Sequence, residues 1–196
     1  QEEAEEMIAP MLSEMQKRFG KAIYTTEEGV TLEDTIVDLL KQKHFTVTTA
    51  ESCTAGKLAG RIMNVAGGSE EYNEGYITYA NAAKEKLLGV KHETLERFGA
   101  VSEETATEMA IGAAKEAGAD VALSVTGIAG PGGGTPDKPV GLVYIGCYVQ
   151  GRVYVKKCQF TGNRERNRDS SVVQALTLLR EKLLDCQEAI DETVKL

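Results

Sequence analysis

The sequence predicts an α/β chain: a three-layer α/β/α sandwich around a mixed, mostly parallel sheet. Three observations carry this. Short β-branched or apolar runs (45–50, 72–79, 120–126) alternate with longer segments whose apolar residues recur at helical spacing, the pattern of crossover connections. The extended runs 140–149 and 153–160 are joined through Gln150-Gly151 and read as a hairpin, which adds antiparallel strands to a parallel set. Two small-residue corners, 50–56 and 127–139, leave strand-like runs at their C-terminal ends, where open α/β sheets bind ligands.

Residues 1–19 are acidic and then amphipathic, with Met7, Ile8, Met11, Leu12, Met15 and Phe19 at helical spacing, so a helix that packs on a neighbour, or on a part of the chain absent here, is expected. Ile23-Tyr24 is extended and 25–30 is a linker. Thr31-Leu32-Glu33-Asp34 opens the next helix as a capping box with Asp34 in the usual Glu/Gln place. Its apolar face is Ile36, Val37, Leu39 and Leu40, and it ends near His44. A strand over 45–50 leads to the first corner and a helix over about 54–64. After the small-residue turn 65–69 come a strand over 72–79, a helix that begins on Asn81 as its cap, and a short helix over 92–98. Ser102 starts an Ala-rich helix that ends at Gly118, and 120–126 is a buried strand. The second corner and the hairpin come next. A last helix spans about 163–186, with Val172, Val173, Leu176, Leu179, Leu183 and Leu184 inward.

With 196 residues, 42% of them hydrophobic, the chain can bury a full core. A net charge of −8 and no long basic cluster argue against nucleic acid. No apolar run is long enough to span a membrane, and no signal peptide is visible, so a cytoplasmic protein is expected. Cys53, Cys147, Cys158 and Cys186 show neither CxxC nor zinc spacing and read as reduced thiols. His44 and His92 stand in different segments, which gives little support to a metal site or to Ser-His-Asp chemistry. The first residue is Gln, and the sequence reads as a piece of a longer chain.

The chemistry concentrates at the corners. Ser52, Cys53 and Thr54 sit where a helix start would leave amide N–H groups unpaired; they read either as caps or as the place for a nucleophile or an anion. The glycine-rich loop 127–139 matches neither a P-loop nor a dinucleotide fingerprint. It is either a wide connection or a concave anion site. A serine needs a base, and with histidine scarce, Lys84, close to Tyr79 and Asn81, is the candidate. Cys53 is the rival nucleophile.

Four stretches occur in order: Ala50-Glu51-Ser52-Cys53-Thr54; Tyr76-Ile77-Thr78-Tyr79-Ala80-Asn81-Ala82-Ala83-Lys84; Gly99-Ala100-Val101-Ser102; and Val125 to Gly133. Together they resemble the CinA C-terminal family, also known as the nicotinamide-nucleotide amidase (PncC) family, over about residues 31–185. The resemblance implies an amidase-like domain over 31–186, preceded by a helix and linker (1–30) that join it to an N-terminal part, and followed by a tail (187–196). It implies hydrolysis of nicotinamide mononucleotide to nicotinate mononucleotide and ammonia, in pyridine-nucleotide salvage. Neither metal nor cofactor is expected, and a homo-oligomer, dimer or higher, is. By motif position Ser52 resembles the nucleophile and Lys84 the general base. Tyr79 orients or relays the proton, and Thr54 with the amides after Ser52 makes the oxyanion site. Cys53, Gly56, Asn81, Gly130, Gly132 and Gly133 line the substrate pocket. Arg164, and next Arg168, meet the phosphate, which a planar guanidinium suits. The alternative is a non-catalytic nucleotide-binding or regulatory module. The family usually has two glycines after Ser-Cys-Thr and often Pro and Asp near Thr161 and Asn163. Here Ala55 precedes Gly56, and a positive φ at Ala55 would strain the corner.

Overall fold

The computed structural model describes residues 2–194, with side chains over 6–186. In chain order the elements are α1 (Glu2–Phe19), α2 (Leu32–Lys43), β1 (Val47–Glu51), α3 (Lys57–Met63), β2 (Gly75–Ile77), α4 (Asn81–Leu88), α5 (His92–Phe98), α6 (Glu103–Ala117), β3 (Val121–Gly127), β4 (Leu142–Val149), β5 (Arg152–Gln159) and α7 (Arg164–Val194). The strands form one sheet in the order β2-β1-β3-β4-β5. β1 is parallel to both β2 and β3, while β4 is antiparallel to both β3 and β5. The sheet is therefore mixed, and β4 alone runs against the other four strands.

Alternation along the strands assigns the two faces. Val121, Leu123 and Val125 of β3 meet Ile36, Leu40, Leu58, Leu176, Leu179 and Leu183 from α2, α3 and α7. The opposite face is built from small residues. Ala50 and Ala122 pack with Met109 and Ala113 of α6. Ser124 Oγ donates to Ala106 O at 2.6 Å, and Thr126 Oγ1 to Ala100 O at 2.6 Å. Those short side chains let α6 lie close on the sheet. Gly112 then brings α6 onto the end of α4, where a Cβ would stand 1.9 Å from Leu88 O.

Local chemistry sets the boundaries. The Thr31–Asp34 capping box forms in both directions and starts α2. Ser102 Oγ accepts the Thr105 N–H and starts α6. Strand β2 is shorter than the expected 72–79. Tyr72 turns under the sheet, its hydroxyl 2.6 Å from Thr49 Oγ1, and only Thr49, Ala50 and Glu51 remain to pair with Gly75, Tyr76 and Ile77. The cap of α4 is Ala80, with Asn81 the first helical residue. α3 starts at Lys57 rather than near 54, because Ala55 and Gly56 have φ of 50° and 89° and cannot continue a right-handed turn.

The α1 stripe of Met7, Ile8, Met11, Met15 and Phe19 is exposed, with none of the described elements packed over it. The segment behind α1 is fastened to α7, with Arg180 donating to Lys21 O and Ile23 O, and Lys21 paired with Asp185. α7 continues to Val194, so most of the expected 187–196 tail is helical backbone; residues 195 and 196 lie outside the described residues. Among the described residues no helix is long and apolar enough to cross a membrane.

Candidate active site

Strands β1 and β3 end side by side, so the two corners that leave them meet at one edge of the sheet. Ser52 is the first residue beyond β1, and its N–H donates to Val125 O of β3 at 2.9 Å. The corner 52–56 then turns back toward α3. The amides at the start of α3 are not free, as the sequence implied. The Glu51 carboxylate accepts the N–H of Gly56 (3.0 Å), Leu58 (3.1 Å) and Ala59 (2.9 Å). Glycine at the helix cap has no side chain to supply, and the preceding glutamate substitutes for it. Among the described residues, no other residue accepts from the N–H of Cys53 or Thr54.

Lys84 comes from the first turn of α4, behind the end of β2. Its side chain is 1% exposed. Nζ lies 3.1 Å from Ser52 Oγ, 2.8 Å from Thr78 O and 3.3 Å from Tyr79 O. Those are three neighbours for a nitrogen. A neutral amine donates to the two carbonyls and offers its lone pair to the serine hydroxyl; an ammonium donates to all three. Burial lowers the Lys84 pKa from 10.5 to about 8, while Cys53 nearby pulls it slightly upward. Ser52 and Lys84 are thus a hydroxyl paired with an amine that sheds its proton near neutral pH. Burial works in the other sense on Cys53, pushing its thiol up to about 11, and no histidine stands by.

The glycine-rich loop after β3 forms the facing wall. A cleft of about 260 Å³ is lined by Ser52, Cys53, Tyr79 and Lys84 on one side and by Gly130, Gly132, Gly133 and Arg164 on the other. Gly130 has φ 88°, and a Cβ there would stand 2.6 Å from the Val140 side chain, so the close turn needs glycine. Arg164, the first residue of α7, donates from Nη1 to Gly130 O at 2.9 Å and reaches the Tyr79 hydroxyl from Nη2 at 3.5 Å. The Tyr79 ring is 61% exposed at the cleft mouth; its backbone carbonyl, not its phenol, meets Lys84.

The remaining predicted site residues stand elsewhere. Gly56, Asn81, Thr54 and Arg168 do not line the cleft. Thr54 is buried beneath the corner, and its hydroxyl has no partner among the described residues. Arg168 donates to Thr54 O at 2.7 Å, which engages the guanidinium with the corner rather than with the cleft. Sequence reasoning missed two residues that hold the site together. One is Glu51, whose only signal was a carboxylate ending a fully buried strand. The other is Asn167, buried, which donates to Ala129 O at 3.0 Å and accepts the Gly162 N–H at 2.9 Å, tying the loop to α7. Among the described residues, no group of three or more His, Cys, Asp or Glu is arranged to hold a metal.

Residues 29–183 match the family model described as CinA C-terminal domain. A CinA-like protein from Kosmotoga olearia is 54% identical over 181 residues, 92% of this chain and 44% of that protein, so the chain spans less than half the length of this curated relative. Among solved structures, the competence/damage inducible protein CihA from Agrobacterium tumefaciens superposes with a TM-score of 0.74 at 43% identity, covering 76% of this chain and 91% of that one. A competence-damaged protein (CinA) superfamily protein from Klebsiella pneumoniae gives a TM-score of 0.76 at 36% identity, covering 79% of this chain and 96% of that one. With the match to the family model running from the linker before α2 nearly to the end of the described α7 side chains, and with the same fold in these relatives, the chain belongs to the CinA C-terminal domain family.

Proposed function

We propose that the domain is an amidohydrolase that converts nicotinamide mononucleotide to nicotinate mononucleotide and ammonia through an acyl-enzyme on Ser52. One observation carries the reading: a fully buried lysine amine lies 3.1 Å from a serine hydroxyl at the floor of a cleft. Neutral Lys84 takes the hydroxyl proton as Oγ bonds to the carboxamide carbon, and the carbonyl π pair moves onto oxygen. The N–H group of Cys53, which lines the cleft and donates to no other residue, is the donor available to that oxyanion. On collapse Lys84 returns the proton to the departing nitrogen, which leaves as ammonia. Water then attacks the ester, Lys84 takes its proton, and Oγ recovers it as nicotinate leaves. The Thr78 and Tyr79 carbonyls favour the ammonium form between these transfers. Arg164 at the cleft rim is the cation for the phosphate.

The test is ammonia release from nicotinamide mononucleotide by the wild type, Ser52→Ala and Lys84→Ala. Turnover in the wild type and none in either variant is expected; full activity in either variant overturns the assignment. The non-catalytic alternative draws on the left-handed backbone of Ala55 inside the corner. Tight nucleotide binding by calorimetry without ammonia would select it.

A further inference from the structure

Glu51 is 1% exposed and is the last residue of β1, so both of its ends are fixed. Its backbone lies between β2 and β3, with its carbonyl accepting the Thr78 N–H at 2.8 Å. Its carboxylate crosses the corner to three amides of residues 56–59. The five residues between, 52–56, thus form a loop closed at its base by one side chain. We propose that the Glu51 carboxylate is a positioning residue. By taking the Gly56, Leu58 and Ala59 N–H groups it holds the corner so that Ser52 Oγ faces Lys84 Nζ and the Cys53 N–H group stays uncommitted. Without that acceptor, one buried amide donor (Leu58) and two half-buried ones (Gly56 and Ala59) lose their partner, and the nearest relief is for the corner to rewind toward a regular helix start. Rewinding moves Ser52, the first residue of the corner. Arg168 holds the same loop from the other side through Thr54 O, so the corner is clamped between a carboxylate and a guanidinium that both lie outside the cleft.

This inference rests on the Ser52–Lys84 reading, and the test separates the two. The full chain and its Glu51→Gln variant are compared by circular dichroism, by steady-state deamidation, and by the rate at which a fluorophosphonate labels Ser52, read by mass spectrometry. Glutamine keeps one acceptor oxygen but turns an N–H₂ toward amides that also donate. The expected result is a folded E51Q whose KM stays within about threefold, whose kcat falls about 100-fold, and whose Ser52 labelling slows in parallel, the scale of an ångström-level misplacement. Equal kcat and labelling in E51Q and wild type overturn the positioning role while leaving the dyad intact. A wild type that neither labels at Ser52 nor releases ammonia overturns the dyad itself. Should E51Q not fold, E51D decides: it keeps the charge but retracts it by one methylene. A drop in kcat at constant KM supports the proposal, and wild-type kcat overturns it.

Discussion

Lys84 Nζ stands 2.8 Å from the carbonyl of Thr78, and the amide of that same Thr78 is bonded to Glu51, the residue just before Ser52. The proposed base and nucleophile are therefore linked through main chain as well as through their own 3.1 Å contact.

The Lys84 environment sets a pH dependence. With a folded pKa of about 8, roughly a tenth of the amine is neutral at pH 7, so kcat/KM should rise about tenfold toward a plateau above pH 9. The folded pKa lies below the unfolded value of 10.5, so the unfolded chain binds the extra proton between pH 8 and 10.5. The Lys84 contribution to stability should rise across that window, by on the order of 3 kcal/mol, while the buried Cys53 and Cys147 thiols, held protonated in the fold by burial, contribute in the opposite sense above pH 9. Denaturant titrations of the wild type and Lys84→Met at pH 8 and 10.5 check this, the difference between the two proteins isolating the lysine.

The Cys53 thiol is expected to be a bystander to the chemistry, the residue's backbone N–H being the part that takes a role. A thiol pushed up to about 11 and buried in the core carries almost no thiolate at pH 7.5. Iodoacetamide should leave activity intact, and Cys53→Ala should keep kcat within a few-fold while lowering stability by about 1 kcal/mol. Labelling by mass spectrometry and initial rates would show it.

Ala55 is exposed at φ 50°, a conformation that costs a residue with a Cβ roughly 1 kcal/mol. Ala55→Gly should raise the unfolding free energy by about 0.5–1 kcal/mol in urea, since relief of strain outweighs the added freedom of the unfolded chain.

Arg164→Ala should raise KM for nicotinamide mononucleotide at least tenfold, because the rim loses its cation. The same change should scarcely affect turnover of the dephosphorylated riboside. Paired steady-state kinetics on the two compounds distinguish a phosphate contact from general damage to the loop that Arg164 also holds.

Gly112→Ala should cost about 1–3 kcal/mol, because its Cβ would overlap Leu88 O and force α6 away from α4. Since α4 carries Lys84, activity should fall further than stability requires. Thermal melts and rates at a fixed folded fraction measure both.

How much of this was legible in the sequence depended on whether local chemistry decided the matter. The Thr31–Asp34 box, the Ser102 cap, the 150–151 hairpin turn and the buried run before Ser52 are short-range signals, and each appears where the residues put it. The meeting of Ser52, Lys84 and the 130–133 loop came from strand ends sharing an edge, a topological rule rather than a contact. Tertiary partners decided the rest. Tyr72 was spent on Thr49 instead of on β2. Glu51 is 1% exposed, and its role exists only once α3 folds back over it. Thr54 and Arg168 carry the residue types of a binding site but face the underside of the corner.

Strand β2 is three residues long, lies at the rim of the sheet and, among the described residues, pairs only with β1. Its continuation supplies both carbonyls around the amine. Peripheral strands of this length fray before a core melts, so gentle heating should abolish the proposed turnover while the helices remain intact. The temperature of half-inactivation should fall below the midpoint seen in the far ultraviolet, and a ligand bridging the cleft should close that gap.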